Sequence, residues 1–225
     1  MQKKPPSNWL IAAAVIIAVA VFATVNAKMN PMSEVAHEHE HVHDENGDHG
    51  SQFEAASTGD TNKAALDKEP PAIDKEKVKK QVVVFETDKG TIKVKLFPEE
   101  MPVTVANFVD LVNREFYDGL TFHRVEDWVV QGGDPSGNGT GGSSRKIPLE
   151  INKKMGFEKA GRMGMARTQD PNSASCQFFW VTKDSSFLND GYAMFGEVIE
   201  GMEVVKKMEI GDKMKTVRLV DEESK

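Results

Sequence analysis

Alternation of apolar and polar residues predicts a β-hairpin at the start of the C-terminal region. Ile92, Val94 and Leu96 alternate with polar residues, which is the pattern of a strand with one buried face. The preceding residues 81–87, QVVVFET, are rich in the β-branched and aromatic side chains that strands favour. Gly90 lies between the two runs and can adopt the positive φ that a tight hairpin turn needs.

The apolar period changes to that of a helix after Pro102. Apolar residues then recur at i, i+3, i+4 and i+7 from Val105 to Val112, which predicts an amphipathic helix over residues 103–114. Further strands are predicted at 122–131, 162–166, 177–182, 193–198 and 216–220, and a short helix at 202–208. Several short strands with only two helices favour a mainly β fold, a closed antiparallel barrel, for a domain at 81–225.

An uncharged apolar run at residues 9–25 precedes this domain and follows Lys3 and Lys4. The run is rather long for the core of a signal peptide and slightly short for a transmembrane helix. Both interpretations place the following residues outside the cytoplasm and leave the lysines inside. We favour residues 1–27 as a single-pass membrane anchor with the C-terminal domain extracytoplasmic. Secretion after cleavage near Ala27 is the alternative.

Residues 28–80 have the composition of a disordered tether. Large apolar residues are sparse, and acidic residues outnumber lysines. Such a segment cannot bury enough surface to offset the entropy lost on ordering. We expect disorder here, with a short helical turn near residues 74–80.

The tether contains a histidine-rich tract in which four imidazoles alternate with other residues, at His37, His39, His41 and His43. Histidines spaced in this way beside carboxylates can bind Zn²⁺, Ni²⁺ or Cu²⁺ weakly. A structural zinc site instead needs four fixed ligands, typically with cysteine. We therefore prefer a solvated spacer to a metal site, and we expect no cofactor.

Composition narrows the possible functions. The chain has 225 residues, a net charge of -7 and one cysteine, Cys176. The negative charge argues against a nucleic-acid-binding surface, and a single cysteine excludes an intramolecular disulfide.

Candidate chemistry concentrates in residues 122–142, FHRVEDWVVQGGDPSGNGTGG. The first half predicts one strand that carries Arg124 and Gln131 to the same surface, and the glycines of the second half predict a loop. No local signature of a nucleophilic hydrolase surrounds Cys176 or His123, and the loop lacks the Lys-Ser/Thr ending of a phosphate-binding loop. A cation, amides and aromatic rings around an apolar surface suit binding of a neutral peptide.

These residues resemble the signature of the cyclophilin family of peptidyl-prolyl isomerases, in a bacterial-like form. A second block at 164–179, GMARTQDPNSASCQFF, and a third at 187–198, FLNDGYAMFGEV, follow in the family's order. The resemblance covers residues 82–220 and implies a closed eight-stranded antiparallel barrel with two helices. It also implies a monomer that binds proline-containing segments of folding proteins and isomerises Xaa-Pro bonds.

The resemblance further implies a set of site residues. Arg124 matches the catalytic arginine, and Gln131 matches a glutamine that assists it. The positions that match substrate-binding residues are His123, Trp128, Val129, Ala166, Arg167, Gln177, Phe179, Phe187, Leu188 and Tyr192. Because strand neighbours point to opposite faces, only one of Phe178 and Phe179 can line a pocket while the other packs in the core.

The sequence departs from the family's commonest pattern at several of these positions. Trp128 replaces phenylalanine, Arg167 replaces asparagine, and Tyr192 replaces histidine. Phe187 replaces a tryptophan and lacks the indole donor, so we expect weak cyclosporin binding. The segment between Arg124 and Gln131 is also one residue shorter.

Two classes of function are the main candidates. The first is an exported, membrane-tethered prolyl isomerase that assists the folding of extracytoplasmic proteins. The alternative is a non-catalytic chaperone or scaffold that binds proline peptides, and the presence of Arg124 favours the enzyme. A metal-handling role for the histidine tract is a third possibility.

Overall fold

The computed structural model describes residues 68–222. The predicted anchor or signal at 1–27 and the histidine-rich part of the tether lie outside this range. Within it, no helix is both long and apolar enough to cross a membrane.

Eight strands form one curled antiparallel sheet. They are β1 (Gln81–Thr87), β2 (Gly90–Leu96), β3 (Phe122–Glu126), β4 (Val129–Gly132), β5 (Arg162–Met165), β6 (Phe178–Val181), β7 (Met194–Glu200) and β8 (Met214–Asp221). Their order across the sheet is β3-β4-β6-β5-β7-β2-β1-β8. Gly90 has a φ of 135°, as the predicted β1–β2 turn requires.

The two edge strands meet only near one end. Thr121 forms an isolated bridge to Lys213, and the Phe122 N–H donates to the Asp212 carbonyl at 2.9 Å. Across residues 68–222 no ladder joins β3 to β8 along their length. The predicted eight antiparallel strands are present, but in this part of the chain they form a curled sheet and the predicted closure into a barrel is not observed.

Within residues 68–222, three α-helices accompany the sheet: α1 (Lys75–Lys79), α2 (Pro102–Asn113) and α3 (Met202–Val205). A 3₁₀ turn at Ser186–Leu188 was not predicted. Helix α1 is the helical turn expected near residues 74–80, and the Asp74 carboxylate caps it by accepting from the Lys77 N–H at 3.1 Å. Val78 of α1 is buried in the core, so folded structure begins inside the segment predicted as tether.

Strand β6 is buried on both faces. Phe178 and Trp180 point into the main core, where the ring of Phe85 packs 5.0 Å from that of Trp180. Phe179 and Val181 point the other way into a second apolar cluster. The prediction that only one of the two phenylalanines enters the main core is confirmed.

The predicted single strand at 122–131 is wrong, because these residues form the β3–β4 hairpin. Glu126 pairs with Val129, which leaves Asp127 and Trp128 as the turn. Val129 and Val130 are both buried, one in each apolar cluster. Folding the segment back puts β4 between β3 and β6, where both faces of a strand can be covered.

A buried ion pair fastens α2 to the chain that follows the glycine-rich loop. The Arg145 guanidinium is fully buried and donates to Asp110 at 2.8 Å and to Asn107 at 3.3 Å. The second partner of Asp110 is Arg114, whose side chain is 38% exposed. One carboxylate thus joins a buried and an exposed arginine.

The two arginines should differ in their effect on stability. We expect Arg145→Met to lower the free energy of unfolding by about 3–5 kcal/mol, because the buried side chains of Asp110 and Asn107 lose their hydrogen-bond donor. Arg114→Ala removes the exposed partner of the same carboxylate and should cost about 0–1 kcal/mol. Urea unfolding of both variants measures the difference, and equal losses would contradict this account.

Candidate functional site

A groove with a volume of about 910 Å³ runs over the outer face of β4, β6 and the segment after β5. All but one of the predicted site residues line it, namely Arg124, Trp128, Val129, Gln131, Ala166, Arg167, Gln177, Phe179, Phe187, Leu188 and Tyr192. The remaining one, His123, does not line the groove. Residues far apart in sequence are thus brought to one surface.

The register of the sheet puts three of these side chains in a row. Arg124 is the cross-strand partner of Gln131, and Gln131 is the partner of Phe179. Cross-strand partners share a face of the sheet, so the cation, the amide and the ring lie side by side.

Three side chains hold the Arg124 guanidinium. Its Nε donates to the Glu126 carboxylate at 2.7 Å, and its Nη1 donates to the Gln131 side-chain oxygen at 3.4 Å. The Trp128 ring centroid lies 5.2 Å from Cζ, within range of a cation–π contact. The hydrogen bond from Arg124 also lowers the pKa of Glu126, which keeps this carboxylate charged at neutral pH. In the described part of the chain Nη2 has no partner, so its two N–H groups are available to a ligand.

Glu126 was not among the predicted site residues, although its position in the sequence indicated a contact with Arg124. Arg124 and Glu126 are two residues apart on one strand and therefore share a face. Glu126 also accepts the Trp128 indole N–H at 3.0 Å, so it orients both groups.

A relay of amides links Arg124 to the glycine-rich loop. Gln131 Nε2 donates to Gln177 Oε1 at 2.9 Å, and Gln177 Nε2 donates to the carbonyls of Gly139 at 3.1 Å and Gly141 at 2.8 Å. Each amide donates and accepts, so the relay fixes both side chains.

The apolar end of the groove is a pocket built around Phe179. The Tyr192 ring meets it edge-on at 5.7 Å, and Leu188 is 4% exposed in the same cluster. Phe157 stacks on Phe179 at 5.6 Å from behind, a contact that the sequence did not predict. Trp128 and Phe187 close the rim with ring centroids 5.1 Å apart. A small apolar ring can be held here with little water around it.

Asp134 organises the glycine-rich loop from inside. Its carboxylate accepts backbone N–H bonds from Ser136 at 2.8 Å, Asn138 at 3.0 Å and Gly139 at 2.5 Å. Burial by itself raises the pKa of Asp134, but these backbone donors outweigh it and bring the pKa below its ordinary value. The loop is therefore a fixed wall of the groove.

His123 lies behind this wall. A Cβ added at Gly139 would be 3.7 Å from the imidazole Cδ2, and neither ring nitrogen makes a hydrogen bond of ordinary geometry. Burial lowers the pKa of His123; Asp134 opposes this change and the Arg124 charge adds to it. The ring is thus neutral at pH 7 and supports the loop from below.

Nucleophilic and metal chemistry find no support in this part of the chain. Cys176 is fully buried, and burial raises the pKa of its thiol to about 11. Residues 68–222 contain no group of three His, Cys, Asp or Glu placed to hold a metal ion. The histidine tract at 37–43 lies outside these residues.

Comparison with known proteins gives a consistent result. Residues 82–223 match the family described as cyclophilin type peptidyl-prolyl cis-trans isomerase/CLD. The chain is 44% identical over 133 residues to peptidyl-prolyl cis-trans isomerase B of Bacillus subtilis, covering 59% of this chain and 92% of that protein. It is 41% identical over 140 residues to a peptidyl-prolyl cis-trans isomerase of Synechococcus elongatus, covering 61% and 94%.

Solved structures agree with the sequence matches. A crystal structure of a cyclophilin type peptidyl-prolyl cis-trans isomerase from Cryptosporidium parvum superposes with a TM-score of 0.59 and 26% identity, covering 64% of this chain and 99% of that one. A second structure of the same protein, determined in the presence of the dipeptide Ala-Pro, gives a TM-score of 0.56 and 27% identity over 64% and 99%.

The role of Asp134 in the loop leads to a stability prediction. Asp134→Asn should lower the free energy of unfolding by about 1–3 kcal/mol, because the amide NH₂ group faces backbone donors and leaves them unsatisfied. The folded pKa of Asp134 lies below its ordinary value of 3.8. The stabilisation is therefore complete above that value and is lost as the pH falls through the folded pKa.

Urea unfolding at pH 7 and at about pH 3 tests this pH dependence. The difference in the free energy of unfolding between wild type and Asp134→Asn should be smaller at the lower pH. Asp88→Asn is the matched control, since the exposed Asp88 carboxylate accepts one backbone N–H, from Lys213. It should have a much smaller effect. A difference that grows in acid would show that the carboxylate does not act as described.

Proposed function

The chain belongs to the cyclophilin-type family of peptidyl-prolyl cis-trans isomerases, and from that membership we propose how its groove catalyses rotation about Xaa-Pro bonds and where it acts. The observation that carries the proposal is the row of Arg124, Gln131 and Phe179 beside an apolar pocket. The row combines a held cation with a place for a proline ring.

The chemistry requires no nucleophile. Resonance in the peptide bond creates a rotational barrier of roughly 18–20 kcal/mol. A catalyst must bind the twisted amide better than either planar form. An apolar pocket can hold the proline ring still while the residue before it rotates.

In our proposal, Phe179, Leu188 and Trp128 surround the proline ring. The twist makes the prolyl nitrogen pyramidal and localises its lone pair, and Arg124 donates a hydrogen bond to that nitrogen. Glu126 and Gln131 hold the guanidinium so that its unpaired N–H groups remain directed at the ligand. The donor is in place before the substrate twists, which avoids reorganisation at the transition state.

Substitution of the arginine tests this mechanism. Arg124→Ala should lower kcat/KM for an Xaa-Pro peptide by about 10²-fold or more, because a donor aimed at the transition state is lost. A protease-coupled isomerisation assay on the full-length protein measures it. Arg114→Ala, which removes an exposed arginine on α2, should leave the rate unchanged.

The assay also separates the two classes of function. Unchanged acceleration by Arg124→Ala would contradict the proposed role of Arg124. No acceleration by the wild-type protein would favour the non-catalytic peptide-binding alternative.

We also propose that the enzyme works outside the cytoplasm as a monomer on a membrane anchor, assisting the folding of exported proteins. The support is the uncharged run at 9–25 with two lysines before it. Weak cyclosporin binding belongs to the same proposal, because Phe187 at the groove rim has no indole N–H.

Cell fractionation tests the location. Full-length protein with a C-terminal tag should stay in the membrane pellet after a high-salt wash and be released by detergent. Protease added to cells with a permeabilised envelope but an intact cytoplasmic membrane should digest the tag. Recovery of the protein in the cytoplasmic fraction would exclude this location, and release by salt alone would exclude the anchor.

A further inference from the structure

Arg167 differs from every other arginine in residues 68–222 because no carboxylate pairs with it. The other five arginines each have an acidic partner within 4 Å. They are Arg114, Arg124, Arg145, Arg162 and Arg218. Arg167 lines the groove. Its charge is therefore not neutralised by the protein.

Backbone carbonyls and one ring nevertheless hold the Arg167 guanidinium in place. Its Nε donates to the Gly191 carbonyl at 2.8 Å, and its Nη1 donates to the carbonyls of Thr168 at 2.8 Å and Gln169 at 3.4 Å. Cζ lies 4.9 Å from the centroid of the Tyr192 ring. Because these contacts already fix the side chain, Arg167 loses less conformational entropy when it binds a ligand than a mobile arginine would.

The held cation keeps the means to bind an anion. Neutral carbonyls and an aromatic ring orient a guanidinium but do not cancel its charge. In the described residues Nη2 of Arg167 has no partner, so its two N–H groups remain available. These N–H groups can donate charge-assisted hydrogen bonds to the carboxylate of a peptide side chain.

The position of Arg167 determines which part of a substrate it meets. Tyr192, on which it stacks, belongs to the apolar cluster of the proline pocket, whereas Thr168 and Gln169 line the polar end of the groove. A chain that leaves the pocket toward this polar end passes Arg167. Arg167 therefore meets the side chain of a substrate residue that is close to the proline in sequence.

Of the other charged residues along this part of the groove, Lys146 acts in the same direction as Arg167, and Asp170 opposes it. Lys146 is exposed, lines the groove and has no ion pair among the described residues. Asp170 is the one acidic lining residue, and its carboxylate accepts the Asn172 backbone N–H at 2.9 Å. The groove is cationic on a chain whose net charge is -7.

We propose that Arg167, assisted by Lys146, makes this isomerase select proline segments with an aspartate or glutamate close to the proline. The inference rests on the proposed function, because it names the substrate class of the same groove. A purely structural alternative is that Arg167 only fastens residues 168–169 to Gly191.

A peptide series distinguishes the two. Short proline peptides with blocked ends carry Glu, Gln or Lys at one position at a time, up to two residues before or after the proline. NMR exchange spectroscopy gives kcat/KM without a coupling protease, whose own specificity would interfere. At the position that meets Arg167 we expect Glu to exceed Gln by about fivefold and Lys to fall below Gln. The preference should weaken at about 0.3 M NaCl, where charges are screened.

Variants link the preference to the residue. In Arg167→Gln the Glu-to-Gln ratio should fall to about 1, whatever the activity on the neutral peptide, and Lys146→Gln should lower the ratio less. Arg114→Gln, which is outside the groove, should leave the ratio unchanged.

The outcomes separate the selectivity from the activity. A wild-type enzyme that isomerises all peptides with a Glu-to-Gln ratio near 1 at every position would overturn the selectivity and leave the isomerase intact. A ratio that persists in Arg167→Gln would overturn the role of Arg167. No acceleration of any peptide would instead overturn the proposed function itself.

Discussion

Burial of strand β6 on both faces is the constraint on which the rest of the structure depends. Phe178 and Trp180 are fixed in the main core, which obliges Phe179 and Val181 to face the opposite side. A shift of β6 by one residue would exchange the two sets, so that Phe179 and Val181 would have to fill the space of Phe178 and Trp180 in the main core. Its neighbours are therefore held in register, and the register places Gln131 beside Phe179. The position of the groove follows from the packing of the core.

Electrostatic order in the groove comes from groups that are tied to the backbone. Asp134 gathers the N–H groups of the glycine-rich loop, and Gln177 joins the carbonyls of the same loop to Gln131. Arg124 is the last member of this chain of contacts. A carboxylate and two amides thus connect a loop without regular structure to a strand, and Arg124 is held as rigidly as the sheet that carries it.

Local pattern predicted the elements and the resemblance to known sequences predicted the site residues, but neither predicted the contacts that join them. Alternation in Ile92, Val94 and Leu96 was sufficient for the first hairpin, since adjacent residues determine that pattern. The hairpin at 122–132 was mistaken for one strand because apolar residues continue on both sides of its turn. Phe157 reaches Phe179 from a loop, and no periodicity signals such a contact. Asp134 had a signal in the sequence Asp-Pro-Ser-Gly, which is typical of a side chain that caps its own turn.

The hairpin also determines how this site can change in length. Arg124 and Gln131 face each other across the β3–β4 ladder, and only Asp127 and Trp128 form the turn. Hairpins close with two-residue or longer turns while their strands keep the same pairing. The shorter spacing between Arg124 and Gln131 that the resemblance to the family indicates can therefore be absorbed at the tip. Insertions and deletions there alter the rim of the apolar pocket and leave Arg124 and Gln131 opposed, so the tip is where evolution can adjust the pocket without moving these two side chains apart.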